Sequence, residues 1–253
     1  MLSLIDTHAH LDMLEAYAEF YISEAAQNNV DKIIIPAIDA DGYPNIVELA
    51  ERFKPVYFQL GLFPSEVADW DDDYPKLIKD LAKHPKCVGI GEIGLDYYWD
   101  KSFIDLQKKV FIEQIKIANE LNLPITVHDR EAHEDCLAIL DKYNKSSQVV
   151  FHCFSGDVDF MHQVVERGYY IAIGGIVTFK KATTLHEVAR AVPLDNLMLE
   201  TDCPYLAPVP FRGKENQPAY VKFVAEEIAR IKEVSLQDIA TVTTRNAEKV
   251  FNL

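Results

Sequence analysis

Residues 87–130, CVGIGEIGLDYYWDKSFIDLQKKVFIEQIKIANELNLPITVHDR, decide the fold. The segment opens on an apolar run at 87–93, passes into helical spacing over 106–121 and returns to an apolar run at 124–128. A run that is apolar throughout, instead of at every second position, belongs to a strand covered on both faces. Two such strands joined by a helix are the unit of a parallel sheet. Working outward, similar runs at 3–8, 32–38, 56–62, 149–154, 169–174 and 197–201 bring the total to eight. Helical spacing fills most intervals, at 17–27, 45–53, 74–83, 134–143, 158–167 and 185–192, and two more helices, 219–232 and 236–251, follow the eighth run. Eight strand–helix units in this length predict a (β/α)8 TIM barrel. A doubly wound open sheet is the second reading. No Ser/Gly/Pro linker, low-complexity tract or composition break divides the chain, so one domain over residues 1–253 is expected.

Composition narrows the class. The 253 residues carry 25 Lys+Arg against 40 Asp+Glu, a net charge of -15, with 49% hydrophobic residues. That hydrophobic share is enough for a globular core and excludes a disordered chain. The acid excess excludes a protein that coats nucleic acid, because neutralising many phosphates needs Lys and Arg in quantity. The first residues lack a basic n-region and a long apolar stretch, and no apolar run is long enough to span a membrane. Four cysteines without a CxxC pair fit free thiols, and the expected location is the cytoplasm.

The decisive pattern is where ionisable residues fall on the apolar runs. These end in His8 and His10, in Glu92, in His128, in His152 and in Asp202. The C-terminal strand ends of a barrel converge on one face, where barrel enzymes build their sites. Charged groups at the ends of buried strands are costly unless paired or coordinated, so the set calls for cations. Four imidazoles and two carboxylates suffice for two divalent ions. His8-Ala9-His10 places both rings on one side of an extended strand. Taken singly, His128 or His152 reads first as a satisfied core histidine, Glu92 reads also as a surface acid in a strand-end turn, and Asp202 as a turn cap. Five different strands sharing the pattern is what these separate readings leave unexplained.

The motifs His8-Ala9-His10-Leu11-Asp12, Gly91-Glu92-Ile93-Gly94-Leu95-Asp96-Tyr97-Tyr98, His128-Asp129-Arg130, His152-Cys153-Phe154-Ser155-Gly156, Glu200-Thr201-Asp202-Cys203-Pro204-Tyr205-Leu206 and Arg212-Gly213-Lys214-Glu215-Asn216 together resemble the TatD family of metal-dependent deoxyribonucleases. The resemblance extends to Asn246-Ala247. It implies a barrel of the amidohydrolase superfamily with 3′ to 5′ exonuclease activity on DNA and two divalent ions, Mg2+ first, with Mn2+ or Zn2+ as alternatives. By the family pattern, His8, His10, Glu92 and Asp202 hold one ion, and Glu92, His128 and His152 the other, with Glu92 bridging. Many barrels of the superfamily bridge with a carbamylated lysine; the fourth run here carries Glu92 and no lysine. Two ions would activate a water and polarise the phosphoryl oxygen it attacks. Asp202 is the candidate to orient that water and take its proton.

Substrate contacts rest on fewer residues. Arg130, two positions beyond a ligand, is placed to grip a phosphate, or else pairs with Asp129 or Glu131. Arg212 and Lys214, in a glycine-containing loop after the eighth run, read as a clamp on the strand backbone or as a solvated turn. Tyr97, Tyr98 and Trp99 read as base-stacking rings or as packing. The expected substrate is DNA, single-stranded or at strand ends, with RNA as the alternative and no obligate protein partner or membrane. A two-metal amide or ester hydrolase is the second functional reading, since the same nucleophile attacks carbonyls, and a metal-storing scaffold is the third. The acid balance predicts weak, distributive engagement of strand ends.

Overall fold

The computed structural model describes residues 2–99, 101–145 and 147–253, with only the backbone at Glu15 and Ala16. Its strands are β1 (Leu4–Asp6), β2 (Val30–Pro36), β3 (Val56–Leu60), β4 (Cys87–Asp96), β5 (Ile125–Arg130), β6 (Val149–Phe151), β7 (Tyr170–Ile173) and β8 (Leu197–Leu199). Its α-helices are α1 (Ala18–Gln27), α2 (Tyr43–Arg52), α3 (Tyr74–Leu81), α4 (Ile104–Leu121), α5 (His133–Tyr143), α6 (Val158–Glu166), α7 (Thr183–Ala191), α8 (Val221–Lys232) and α9 (Leu236–Phe251). The strands lie in the sheet in chain order. Parallel strands in that order, alternating with helices, make the expected (β/α)8 barrel. Among the described residues, no helix is long and apolar enough to cross a membrane.

Two compact units make up the chain: Met1–Ile35 with Cys153–Leu253, and Pro36–His152. In the first, β1 pairs with β2 and β7 with β8. The last strand also meets the first there. The Thr7 amide and hydroxyl both donate to the Leu199 carbonyl, at 3.1 and 3.0 Å, and the Asp202 amide donates to the His8 carbonyl at 2.9 Å. Helix α9 packs on both β1 and β8. Asn246 on that helix donates its side-chain amide to the Leu194 and Leu197 carbonyls, each at 2.8 Å, and so holds the entry to β8.

In the second unit, β4 pairs with β3 and β5, and β5 with β6. Every residue of β4 is buried, which is why its sequence shows no alternation. Two glutamines of α4 clasp backbone. Gln114 accepts from the Leu62 amide at 2.7 Å and donates to its carbonyl at 3.1 Å, and Gln107 does the same with Asp96 at 3.0 and 3.1 Å. Helix α4 therefore fixes the end of β4 as well as covering its face.

The apolar runs misplace several strand ends. Strand β4 continues to Asp96, past the run's end at Ile93, because Gly94-Leu95-Asp96 has the composition of a turn yet pairs in register with His128-Asp129-Arg130. Glu92 and His128 thus lie inside strands. Strands β1, β6 and β8 stop early, and His8, His152 and Asp202 follow them in extended or turning backbone.

Helix α9 carries a capping box: the Ser235 hydroxyl accepts from the Asp238 amide at 3.1 Å, and the Asp238 carboxylate accepts from the Ser235 amide at 3.3 Å. Ser235→Ala should lower stability by about 1 kcal/mol. Urea denaturation reads this directly, and no shift in midpoint would show the cap to be idle.

Candidate metal centre

In the first unit, the site grows from the pairing of the β1 and β8 extensions. Ala9 bridges Cys203 in parallel, and the His10 amide donates to the Cys203 carbonyl at 2.8 Å. With Ala9 tied into the ladder, His8 and His10 project on the same side of it. Their ring centroids are 5.1 Å apart. Asp202, in left-handed backbone at φ 57°, brings Oδ1 to 3.5 Å from His10 Nε2 and 3.9 Å from His8 Nε2.

Buried acids support this cluster from behind. Asp6 accepts hydrogen bonds from the Thr201 amide at 2.9 Å and the Thr201 hydroxyl at 2.6 Å, and from the His8 amide at 3.4 Å. Burial pushes its carboxyl up to about 8 against the pull of those bonds, and through them Asp6 ties β1 to the segment after β8. Glu200 is also fully buried and accepts from the Cys153 amide at 2.6 Å. Asn216 donates to the Thr201 and Tyr205 carbonyls at 2.8 and 2.6 Å, pinning the loop after β8.

In the second unit, Glu92 Oε1 lies 2.7 Å from His128 Nδ1 and 2.6 Å from His152 Nε2. Those two ring nitrogens are 3.3 Å apart. The far nitrogen of His128, Nε2, meets Asp96 Oδ2 at 3.0 Å. Burial opposes charge on the His128 ring, but its bonds to Asp96 and Glu92 outweigh burial and hold its pKa above the ordinary imidazole value. Asp96 shows the complement: burial would raise its carboxyl, yet the bonds from His128 and from the Tyr98 and Trp99 amides keep it below the usual range. A histidine oriented by a carboxylate behind it is the support metal-binding histidines use.

The donors fit a divalent ion. One ligand atom each from Glu92, His128 and His152 lies within 4.8 Å of the others. Two imidazole nitrogens bound tetrahedrally at about 2.05 Å from one ion would be about 3.3 Å apart, the spacing seen between His128 and His152. Mixed nitrogen and oxygen donors suit Zn2+ or Mn2+ and accommodate Mg2+ less readily. Thiol chemistry has no comparable support: burial raises the thiols of Cys87, Cys136 and Cys203, which makes them poor nucleophiles.

Within its own unit each expected ligand has neighbours from the set, His8, His10 and Asp202 in one and Glu92, His128 and His152 in the other. The cationic residues rest against aromatic rings. The Arg130 guanidinium carbon is 3.9 Å from the Tyr98 ring centroid and 5.3 Å from that of Trp99. Asp129, one of its expected partners, accepts instead from the Ala132 amide at 3.2 Å and lies 2.8 Å from His133 Nδ1. Arg212 packs over Phe179 at 4.3 Å, and the Lys214 amine is 6.0 Å from the Phe211 ring, both on an exposed loop.

Sequence reasoning gave no role to Asp96, Asp6 or Glu200. A usable signal existed for Asp96, which stands four residues after Glu92 and so on the same face of a strand. Asp6 and Glu200 likewise interrupt apolar runs with an acid, a cost that implies a buried partner.

Comparison with known proteins agrees with this geometry. The family model for TatD related DNase matches residues 5–252. The uncharacterized metal-dependent hydrolase YabD of Bacillus subtilis (strain 168) is 41% identical over 253 residues, covering 99% of each chain. YcfH of Escherichia coli (strain K12), named in the same way, is 40% identical, covering 99% of this chain and 96% of its own. The crystal structure of the TatD homologue YjjV from Escherichia coli K12 superposes with a TM-score of 0.94 at 31% identity, covering 99% of this chain and 98% of its own. The chain belongs to the TatD-related DNase family and is a metal-dependent hydrolase of that family.

Proposed function

We propose that this protein is a divalent-metal-dependent deoxyribonuclease that removes nucleotides from DNA ends in the 3′ to 5′ direction. The observation that carries the reading is the Glu92 carboxylate shared by His128 and His152, with Asp96 behind His128. The likeness to the TatD-related DNases supplies the substrate class. Divalent ions, one on each cluster, would supply Lewis acidity that makes water a nucleophile near neutral pH and offsets phosphoryl charge.

The chain's own groups do the rest. Asp96 keeps the His128 ring oriented, and the Ala9 to Cys203 bridge keeps His8 and His10 aligned. Asp202 takes the proton from the attacking water. Its oxygen lies close to His10 Nε2 and its backbone is held by the His8 carbonyl. Arg130, Arg212 and Lys214 supply positive charge for substrate phosphates. Four free cysteines fit work in a reducing cytoplasm.

End-labelled single-stranded DNA and RNA, incubated with the protein and a panel of Mg2+, Mn2+ and Zn2+, test the reading. Stepwise shortening from the 3′ end of DNA, abolished by chelation and restored by metal, is the expected result. Turnover of p-nitrophenyl acetate with no attack on either oligonucleotide or on bis(p-nitrophenyl) phosphate would overturn it in favour of carbonyl hydrolysis.

A further inference from the structure

We propose that Tyr98, Trp99 and Arg130 form a shelf on which the nucleobase at or next to a strand end stacks while its phosphate is presented to the metal ligands. This rests on the nuclease reading above and adds a binding site to it. Trp99 is 72% exposed and Tyr98 49%, although both rings would gain from burial. They pack edge to face, with centroids 4.8 Å apart and planes at 87°. Tyr97 is not part of the shelf, because its hydroxyl donates to Asp135 at 2.7 Å.

The exposed rings stand on a fixed turn. Asp96 Oδ1 accepts from the backbone amides of Tyr98 at 2.9 Å and Trp99 at 3.2 Å, while its Oδ2 meets His128 Nε2 at 3.0 Å. Gln107 clasps the Asp96 peptide from α4. One carboxylate thus sets both the aromatic turn and a candidate metal ligand, so a base placed on the rings is placed relative to that ligand. Arg130 pairs with Asp96 in the β4–β5 ladder and rests on the Tyr98 ring. A cation on an aromatic face is held by the ring, and its N–H groups are suited to a phosphate.

The occupant follows from this chemistry. In a chain of net charge -15, an arginine stacked on two exposed rings is a local site for a group that is at once flat and anionic. A nucleotide at a strand end is such a group. Stacking accepts every base, which suits an enzyme that removes residues in succession, and DNA and RNA present the same flat face.

The test uses the chain's two tryptophans, Trp70 and Trp99. Trp70→Phe keeps the ring that stacks on Tyr74 and leaves Trp99 as the sole indole. This protein is titrated with single-stranded DNA whose 3′-terminal linkage is a hydrolysis-resistant phosphorothioate, with the same strand bearing abasic terminal residues, and with the matching RNA. Base-bearing DNA should quench Trp99 emission and bind about tenfold more tightly than the abasic strand. Trp99→Ala, followed by anisotropy of a labelled strand, should erase that preference, and Trp99→Phe should keep most of it. Equal quenching by RNA supports the shelf as a general single-strand site, and quenching by DNA alone supports it as a DNA site. Absence of quenching, or a preference that survives Trp99→Ala, overturns the shelf even if the enzyme digests DNA. A base preference lost in Trp99→Ala together with no cleavage of unmodified DNA leaves the shelf standing and removes the nuclease reading.

Discussion

Glu92→Ala should lower kcat/KM on a single-stranded oligonucleotide on the order of a thousandfold, equivalent to about 4 kcal/mol of transition-state stabilisation. The carboxylate is 2% exposed and lies within 2.7 Å of ring nitrogens on both His128 and His152. Its removal takes away an oxygen donor and leaves two imidazoles facing each other at 3.3 Å with no anion between them. Asp96→Asn provides the scale. It perturbs only the support behind His128, and such outer partners are worth about 10–100-fold in metal affinity or activity. Kinetics on both variants, with calorimetric titration of Mn2+ into each, give the comparison. A Glu92→Ala enzyme within tenfold of the parent, or a smaller loss than Asp96→Asn shows, would remove Glu92 from the centre.

Gly94→Ala should cost about 4 kcal/mol of stability, from positive-φ strain and overpacking together. Gly94 has φ 147°, a region that L side chains rarely adopt, and a Cβ there would run into the His128 carbonyl. The ladder would have to open where Gly94 faces His128. A drop in melting temperature of roughly 10 °C is expected for a chain of this size. Gly213→Ala is the control: it too has positive φ, at 83°, but nothing lies within 4 Å of the added carbon, so about 1 kcal/mol is expected. Urea midpoints for the two variants decide the matter, and a Gly94→Ala loss no larger than that of Gly213→Ala would show that β4 and β5 can part freely.

The order of strands and helices was legible because the barrel strands are mainly apolar, and β4 is buried at all ten positions. The candidate ligands were legible for the same reason in reverse: His8, His128 and His152 place ionisable rings at the ends of mainly apolar runs. Less visible was where the ladders end. Gly94-Leu95-Asp96 has a turn's composition, yet it pairs because only a glycine can pass the His128 carbonyl. The supporting residues were obscure on different grounds. Asp96, Gln107 and Asp6 act through hydrogen bonds to backbone and to neighbouring side chains, and neither hydropathy nor spacing records such bonds. Arg130 rests on Tyr98 and not on Asp129, because consecutive residues of β5 point to opposite faces.

The bonds joining the β1 extension to that of β8 set a condition on synthesis. Thr7 and Leu199 are 192 positions apart, and Asp202 reaches the His8 carbonyl across a similar separation. A chain still on the ribosome has made His8 and His10 long before their carboxylate partner Asp202, which follows His10 by 192 residues. Until then no nascent fragment can assemble that cluster, and contacts of such long sequence separation form slowly. The members of that cluster are therefore together only once Asp202 has been made.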